Sequence, residues 1–177
     1  MPIGDAALAG AREEVKAWLR LETEEEDAIV DRLVRSAIGC CEGFVGQALI
    51  LREEVQRLPV SREWQRLRWT PVSAIMGVTG LPAEGAVFAL PIGAYGVDID
   101  GNGDGWVRVT ASGAAGRVDV TFMAGLATDW AGLPEAIRQG VVRLAAHMFA
   151  QRDGEGSAPP AVVSALWRPW RRMRLAS

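Results

Sequence analysis

"LETEEEDAIVDRLVRSAIGCCEGFVGQAL", Leu21 to Leu49, is the stretch from which the rest of the chain can be read. Thr23, with Glu26 three residues later, has the form of a capping box, and the acidic first turn suits the positive end of a helix dipole. Ile29, Val30, Leu33, Val34, Ala37, Ile38, Cys41, Phe44 and Val45 recur at helical spacing and make one broad apolar face, with Gly46 as the stop. The spacing predicts a long helix over residues 23–46.

Working outward, "AREEVKAWLR" predicts a shorter helix over residues 10–20, with Val15, Trp18 and Leu19 on its inner side. "LPEAIRQGVVRLAAHMFAQR" predicts another over 134–152, with Pro134 as its first residue and Ile137, Val141, Leu144 and Met148 on a single stripe. "DGEGSAPP" is a polar linker, and "PAVVSALWRPW" gives a short final helix over 159–168 that Pro169 terminates.

The middle, residues 48–124, has a different rhythm. "ALILREEVQRL", "EWQRLRW", "SAIMGVTG", "GAVFAL", "GWVRVTA" and "GRVDVTFMAG" are short apolar runs separated by Pro and Gly, which predicts a small, mostly antiparallel sheet. In "RVDVTF", Val118, Val120 and Phe122 fall on one side and Arg117, Asp119 and Thr121 on the other. The expected fold is α+β: mainly a helical bundle, with a small antiparallel β lobe inserted between its helices. The chain of 177 residues is long enough to bury a core as a single domain.

Composition narrows the function. With 49% apolar and 23% charged residues the chain reads as an ordinary folded protein, and no stretch approaches the roughly 20 apolar residues that cross a bilayer. No secretory leader is evident, so a cytoplasmic protein with no membrane partner is expected. Cys40 and Cys41 are adjacent and cannot easily bridge, so they read as buried thiols in a reducing compartment. A net charge of -3 argues against bulk nucleic-acid binding, although the end of the chain, "WRPWRRMRL", is purely basic.

Catalytic groups are scarce. His147 is the one histidine and sits at helical spacing beside Met148 and Phe149, so it reads as a structural residue at the core edge. One histidine and two adjacent cysteines cannot supply a tetrahedral zinc site, and the one lysine, Lys16, lies in a glycine-free helix rather than a P-loop. The expectation is no enzyme, no cofactor and no metal. "DIDGNGDGWV", Asp98 to Val107, starts like a calcium loop, but Val109 occupies the position of the bidentate glutamate and strand-like residues follow. A hairpin turn is the simpler reading.

The basic end permits two readings. Arg168, Arg171, Arg172 and Arg174, interleaved with Trp167 and Trp170, form a partner surface in one; in the other, the tryptophans pack on the core and leave the arginines in water.

The conjunction of a "K-x-x-L-R" helix end at Lys16 to Arg20, Asp27 opening a long helix that closes in "GQAL", "PVSAIMGV", a strand ending in "F-x-AG" at Phe122 to Gly125, the "PEAIRQ" helix start and the arginine-rich end resembles the head-tail connector, or adaptor, proteins of long-tailed phages, prophages and gene transfer agents. The resemblance covers both ends and a short piece of the middle, and leaves out the loop 98–104. It implies a single connector domain over 1–177 with a basic tail at 167–177. The implied protein is structural, assembled in the bacterial cytoplasm as a homo-oligomeric ring of twelve at the portal vertex or neck of the particle. Its partners would be the portal, a tail-side connector or tail terminator protein, and DNA passing through the channel without sequence specificity. Portal or neighbour contacts fall by this resemblance to Trp167, Arg168, Trp170, Arg171, Arg172 and Arg174. A small DNA-binding regulator using the arginine-rich tail, and a calcium-binding module, are the alternatives.

Overall fold

The computed structural model describes residues 4–151 and 160–172. They form four α-helices, α1 (Asp5–Leu19), α2 (Asp27–Val45), α3 (Glu135–Ala150) and α4 (Ala161–Trp167), and seven strands. The strands are β1 (Arg52–Pro59), β2 (Gln65–Arg66), β3 (Val72–Pro82), β4 (Phe88–Ala89), β5 (Tyr95–Ile99), β6 (Gly105–Val109) and β7 (Ala115–Ala124). The chain divides into two compact units: a β unit over 51–126, and a helical unit formed by the described residues on either side of it. Helices and strands both contribute substantially, so the fold is mixed α+β and not mainly helical as expected.

In the helical unit the apolar face of α2 is the centre. Val30, Val34, Ala37, Ile38, Cys41 and Val45 are buried, and they share the core with Leu8, Ala11 and Val15 of α1, Ile137, Val141 and Leu144 of α3, and Val163 and Trp167 of α4. Helix α2 begins later than expected. Glu26 is its N-cap and makes no side-chain capping bond, so the Thr23–Glu26 pair is not a capping box. Asp27, the first helical residue, instead accepts a 2.6 Å bond from Lys16 Nζ, which comes from the last turn of α1. This pair joins a cation at a helix C-terminus to an anion at a helix N-terminus, favourable to both dipoles. Arg12 adds a second link to α2 through Asp31 at 3.2 Å. Helix α2 ends at Gly46, whose φ of 71° is the left-handed conformation that glycine adopts without strain.

Helix α1 starts earlier than expected, at Asp5, and Trp18 does not face the core: it is 51% exposed, with the Arg143 guanidinium 5.2 Å from its ring centre. Pro134 is the N-cap of α3 and not its first residue. Ile137, Val141 and Leu144 are buried as the stripe predicted, while Met148 is half-buried.

The β unit holds two antiparallel sheets, ordered β1-β7-β3-β4 and β2-β6-β5. Strand β7 is the spine of the larger. Val118, Val120 and Phe122 are fully buried, whereas Arg117, Asp119 and Thr121 point the other way, where Arg57 of β1 grips Asp119 with two 2.9 Å bonds. "EWQRLRW" yields only the two-residue β2, and the residues just ahead of the acidic loop form a full strand, β5, paired with β6.

Candidate functional site

The basic end of the chain is the segment in which sequence concentrates recognition chemistry, and the helical unit holds it down residue by residue. Trp167, the last residue of α4, is 3% exposed. Its indole N–H donates to the Ile137 carbonyl at 3.3 Å, and its ring lies 6.0 Å from that of Phe44 at a tilt of 51°. The approach to α3 requires a glycine: a Cβ on Gly140 would stand 2.0 Å from the indole nitrogen.

Beyond Trp167 the α-helix cannot continue through Pro169, and Arg168–Trp170 form a single 3-10 turn. The chain then leaves in extended conformation and crosses the C-terminal end of α2. There the Gln47 side-chain amide donates to the Trp170 carbonyl at 2.7 Å, and the Arg172 N–H donates to the Val45 carbonyl at 2.8 Å. Carbonyls in the last turn of a helix lack intrahelical partners, and α2 has no basic residue of its own in that turn. Arg172 supplies a backbone donor to that turn, and Arg171 brings a positive charge to it from the far end of the sequence. The Arg171 guanidinium lies 5.5 Å from the Phe44 ring centre, a cation–π arrangement.

The six residues singled out from the sequence therefore separate. Trp167 is a core residue. Trp170 and Arg172 are half-buried, Arg168 and Arg171 are exposed, and Arg174 lies outside the described residues. Gln47, in the sequence only a member of the "GQAL" helix end, and Gly140, which no motif marks, hold the segment in place. A glycine inside an otherwise regular helical stripe was the signal available for Gly140.

The acidic loop is a hairpin turn between β5 and β6. Asp100 is its organiser: one carboxylate oxygen accepts the N–H groups of Asn102 at 2.8 Å and Asp104 at 3.0 Å, and the other accepts the Trp106 indole N–H at 3.2 Å. The bond from the Asp104 N–H is the main reason the Asp100 carboxyl is held below its ordinary pKa, with the Trp106 indole next. Asp104 itself accepts from Arg66 at 2.7 Å. Asp100 and Asp104 thus build and brace the turn.

Other reactive groups are dispersed. Cys41 is buried, and desolvation pushes its thiol pKa well up, but Cys40 is exposed, against the expectation of two buried thiols. His147 is half-buried in the last turn of α3. Among the described residues no three His, Cys, Asp or Glu side chains are gathered as a metal site would need, and no helix is long and apolar enough to cross a membrane.

No protein-family model matches the chain, and neither does any curated protein. Solved structures do. A chain from the neck of an empty gene transfer agent particle, computed with six-fold symmetry, superposes with a TM-score of 0.77 at 27% identity, covering 99% of this chain and 96% of that one. A chain from the neck of the native particle, computed with twelve-fold symmetry, gives 0.73 at 25% identity over 99% and 96%. A chain from the virion of the native particle gives 0.68 at 29% over 96% and 90%. The likeness of fold to chains of gene transfer agent necks runs nearly end to end and is consistent with the family resemblance read from the sequence. The likeness is to structural proteins of a phage-like particle and not to enzymes.

Proposed function

We propose that this chain is a head-tail connector subunit, a structural neck protein that assembles as a ring beneath the portal and joins the DNA-filled head to the tail. The ring is twelve-fold, leaves a channel through which DNA passes without sequence recognition, and offers its far side to a tail-side connector or tail terminator protein. Subunits are made in the bacterial cytoplasm and end in the neck of the particle. The observation that carries this reading is the match of 99% of this chain to 96% of a chain from a gene transfer agent neck.

In this reading Arg168, Trp170, Arg171 and Arg172, with Arg174 beyond the described residues, form the surface offered to the portal or to a neighbouring subunit. Arg168 and Arg171 are exposed, and the backbone that carries them is fixed by the Gln47 and Val45 bonds. A cationic surface of that kind is organised in advance and pays little ordering entropy on docking. Trp167 contributes indirectly, as the core residue that anchors the segment.

Electron microscopy of particles made with and without the gene tests the proposal. Heads separated from complete tails in its absence are expected. Normal tailed particles without the gene would remove the connector role.

A further inference from the structure

The β unit displays a run of apolar residues of which its own fold buries only part. From Gly85 to Val97 the sequence "GAVFALPIGAYGV" holds no charged residue. Val87 is 62% exposed, Phe88 36% and Ile92 86%. The apolar run "GAVFAL" predicts a strand, yet only Phe88 and Ala89 pair, with Gly80 and Thr79 of β3.

This segment is firmly held. Leu90 and Ala94 are both 5% exposed and pin it from below. The Leu90 N–H donates to the Val78 carbonyl at 2.9 Å, and the Ala94 carbonyl accepts from Thr110 at 2.9 Å and from Ala111 at 3.0 Å. Phe88 packs over Gly80, and a 3-10 turn, Ile92–Ala94, carries the most exposed isoleucine. Val87 and Ile92 are therefore presented to solvent on a built support. Aliphatic side chains held this way, on a segment that carries no charge, have the chemistry of an interface core, where charged residues are depleted.

We infer that residues 85–93 are the lateral contact by which one subunit packs against the next copy of the same chain in the ring. The inference rests on the connector reading. A ring places two different faces of each subunit in contact with its neighbours, and the related necks were computed with six-fold and twelve-fold symmetry. DNA as the occupant is disfavoured, because a phosphate backbone calls for positive charge and this segment has none. The portal is better matched by the arginine-bearing segment, whereas identical copies that meet on assembly and stay together suit an uncharged apolar surface.

The test uses whole particles. The photo-cross-linking residue p-benzoylphenylalanine is placed at Ile92, and separately at Val87 as a second reporter, and purified particles are irradiated. Covalent dimers and higher multiples of this chain, identified by mass spectrometry, are the expected result from at least one position. Adducts only to the portal, a tail-side protein or DNA, or no adduct although the chain is present, would overturn the inference. Wild-type chain absent from purified particles, seen by immunoblot without irradiation, would instead sink the connector reading, and this inference with it.

Discussion

The indole nitrogen of Trp167 occupies space that a methyl group on Gly140 would claim, 2.0 Å from the position of an added Cβ. The relationship fixes α4 against α3 and, through α4, the start of the basic segment. Gly140→Ala should improve local helix propensity by about 1 kcal/mol, but the clash forces the indole out of its place. Overpacking of this kind costs about 1–3 kcal/mol, so the net effect should be destabilising. Urea denaturation followed by tryptophan fluorescence measures it; a variant more stable than the parent by about 1 kcal/mol would show that α4 shifts without cost.

Lys16 and Asp27 form the link between α1 and α2, each at its helix end, with side chains 11% and 23% exposed. Lys16→Met keeps the apolar stem and removes the charge. It should lower stability by about 1–2 kcal/mol, because a charged hydrogen bond is lost and Asp27 stays partly covered. The double variant Lys16→Met, Asp27→Ala should recover part of that loss, since no carboxylate is left behind. Strict additivity in the cycle would mean that the two residues do not interact.

Asp119 and Asp100 are both held below the ordinary carboxylate pKa, Asp119 chiefly by the bond from the Arg57 side chain and Asp100 chiefly by the Asp104 N–H. A carboxyl whose folded pKa is depressed binds protons more readily in the unfolded chain. Its stabilising contribution is therefore fully present above the unfolded value, near 4, and is lost as pH falls through the folded value. Asp119→Asn should cost at most about 1 kcal/mol at pH 7, because Arg57 is 56% exposed and solvent screens the pair. The gap between parent and variant should narrow below about pH 4. Denaturation midpoints from pH 7 down to 2.5 would reveal it, and a gap that widens in acid would reverse the assignment.

What the sequence made legible was periodic and local. The stripes on α2 and α3, and the alternation of β7, are burial patterns, and burial drives those elements. The false capping box shows where local reading stops: Thr23 and Glu26 have the right spacing, but the start of α2 is set by Lys16, eleven residues away, reaching Asp27. The attachment of the basic segment was invisible for the same reason. Gln47 and Trp170 are 123 residues apart, and no spacing rule connects an amide to a backbone carbonyl over such a distance. Trp18 misled because its place on the apolar side of α1 says nothing about whether another element covers it.

The last prediction separates anchoring from recognition within the basic segment. Trp167→Ala removes a buried indole and should cost about 3–5 kcal/mol, so loss of recruitment to particles would follow from unfolding alone. Trp170→Ala with Arg171→Ala touches a half-buried ring and an exposed guanidinium, while the backbone bonds from Gln47 to Trp170 and from Arg172 to Val45 do not depend on either side chain. The double variant should keep an unchanged far-ultraviolet circular dichroism spectrum and a melting temperature within a few degrees of the parent. Its amount in purified particles should nevertheless fall at least tenfold, equivalent to about 1.4 kcal/mol of docking free energy. A folded double variant recruited at the parental level would show that the portal or neighbour contact lies elsewhere on the subunit.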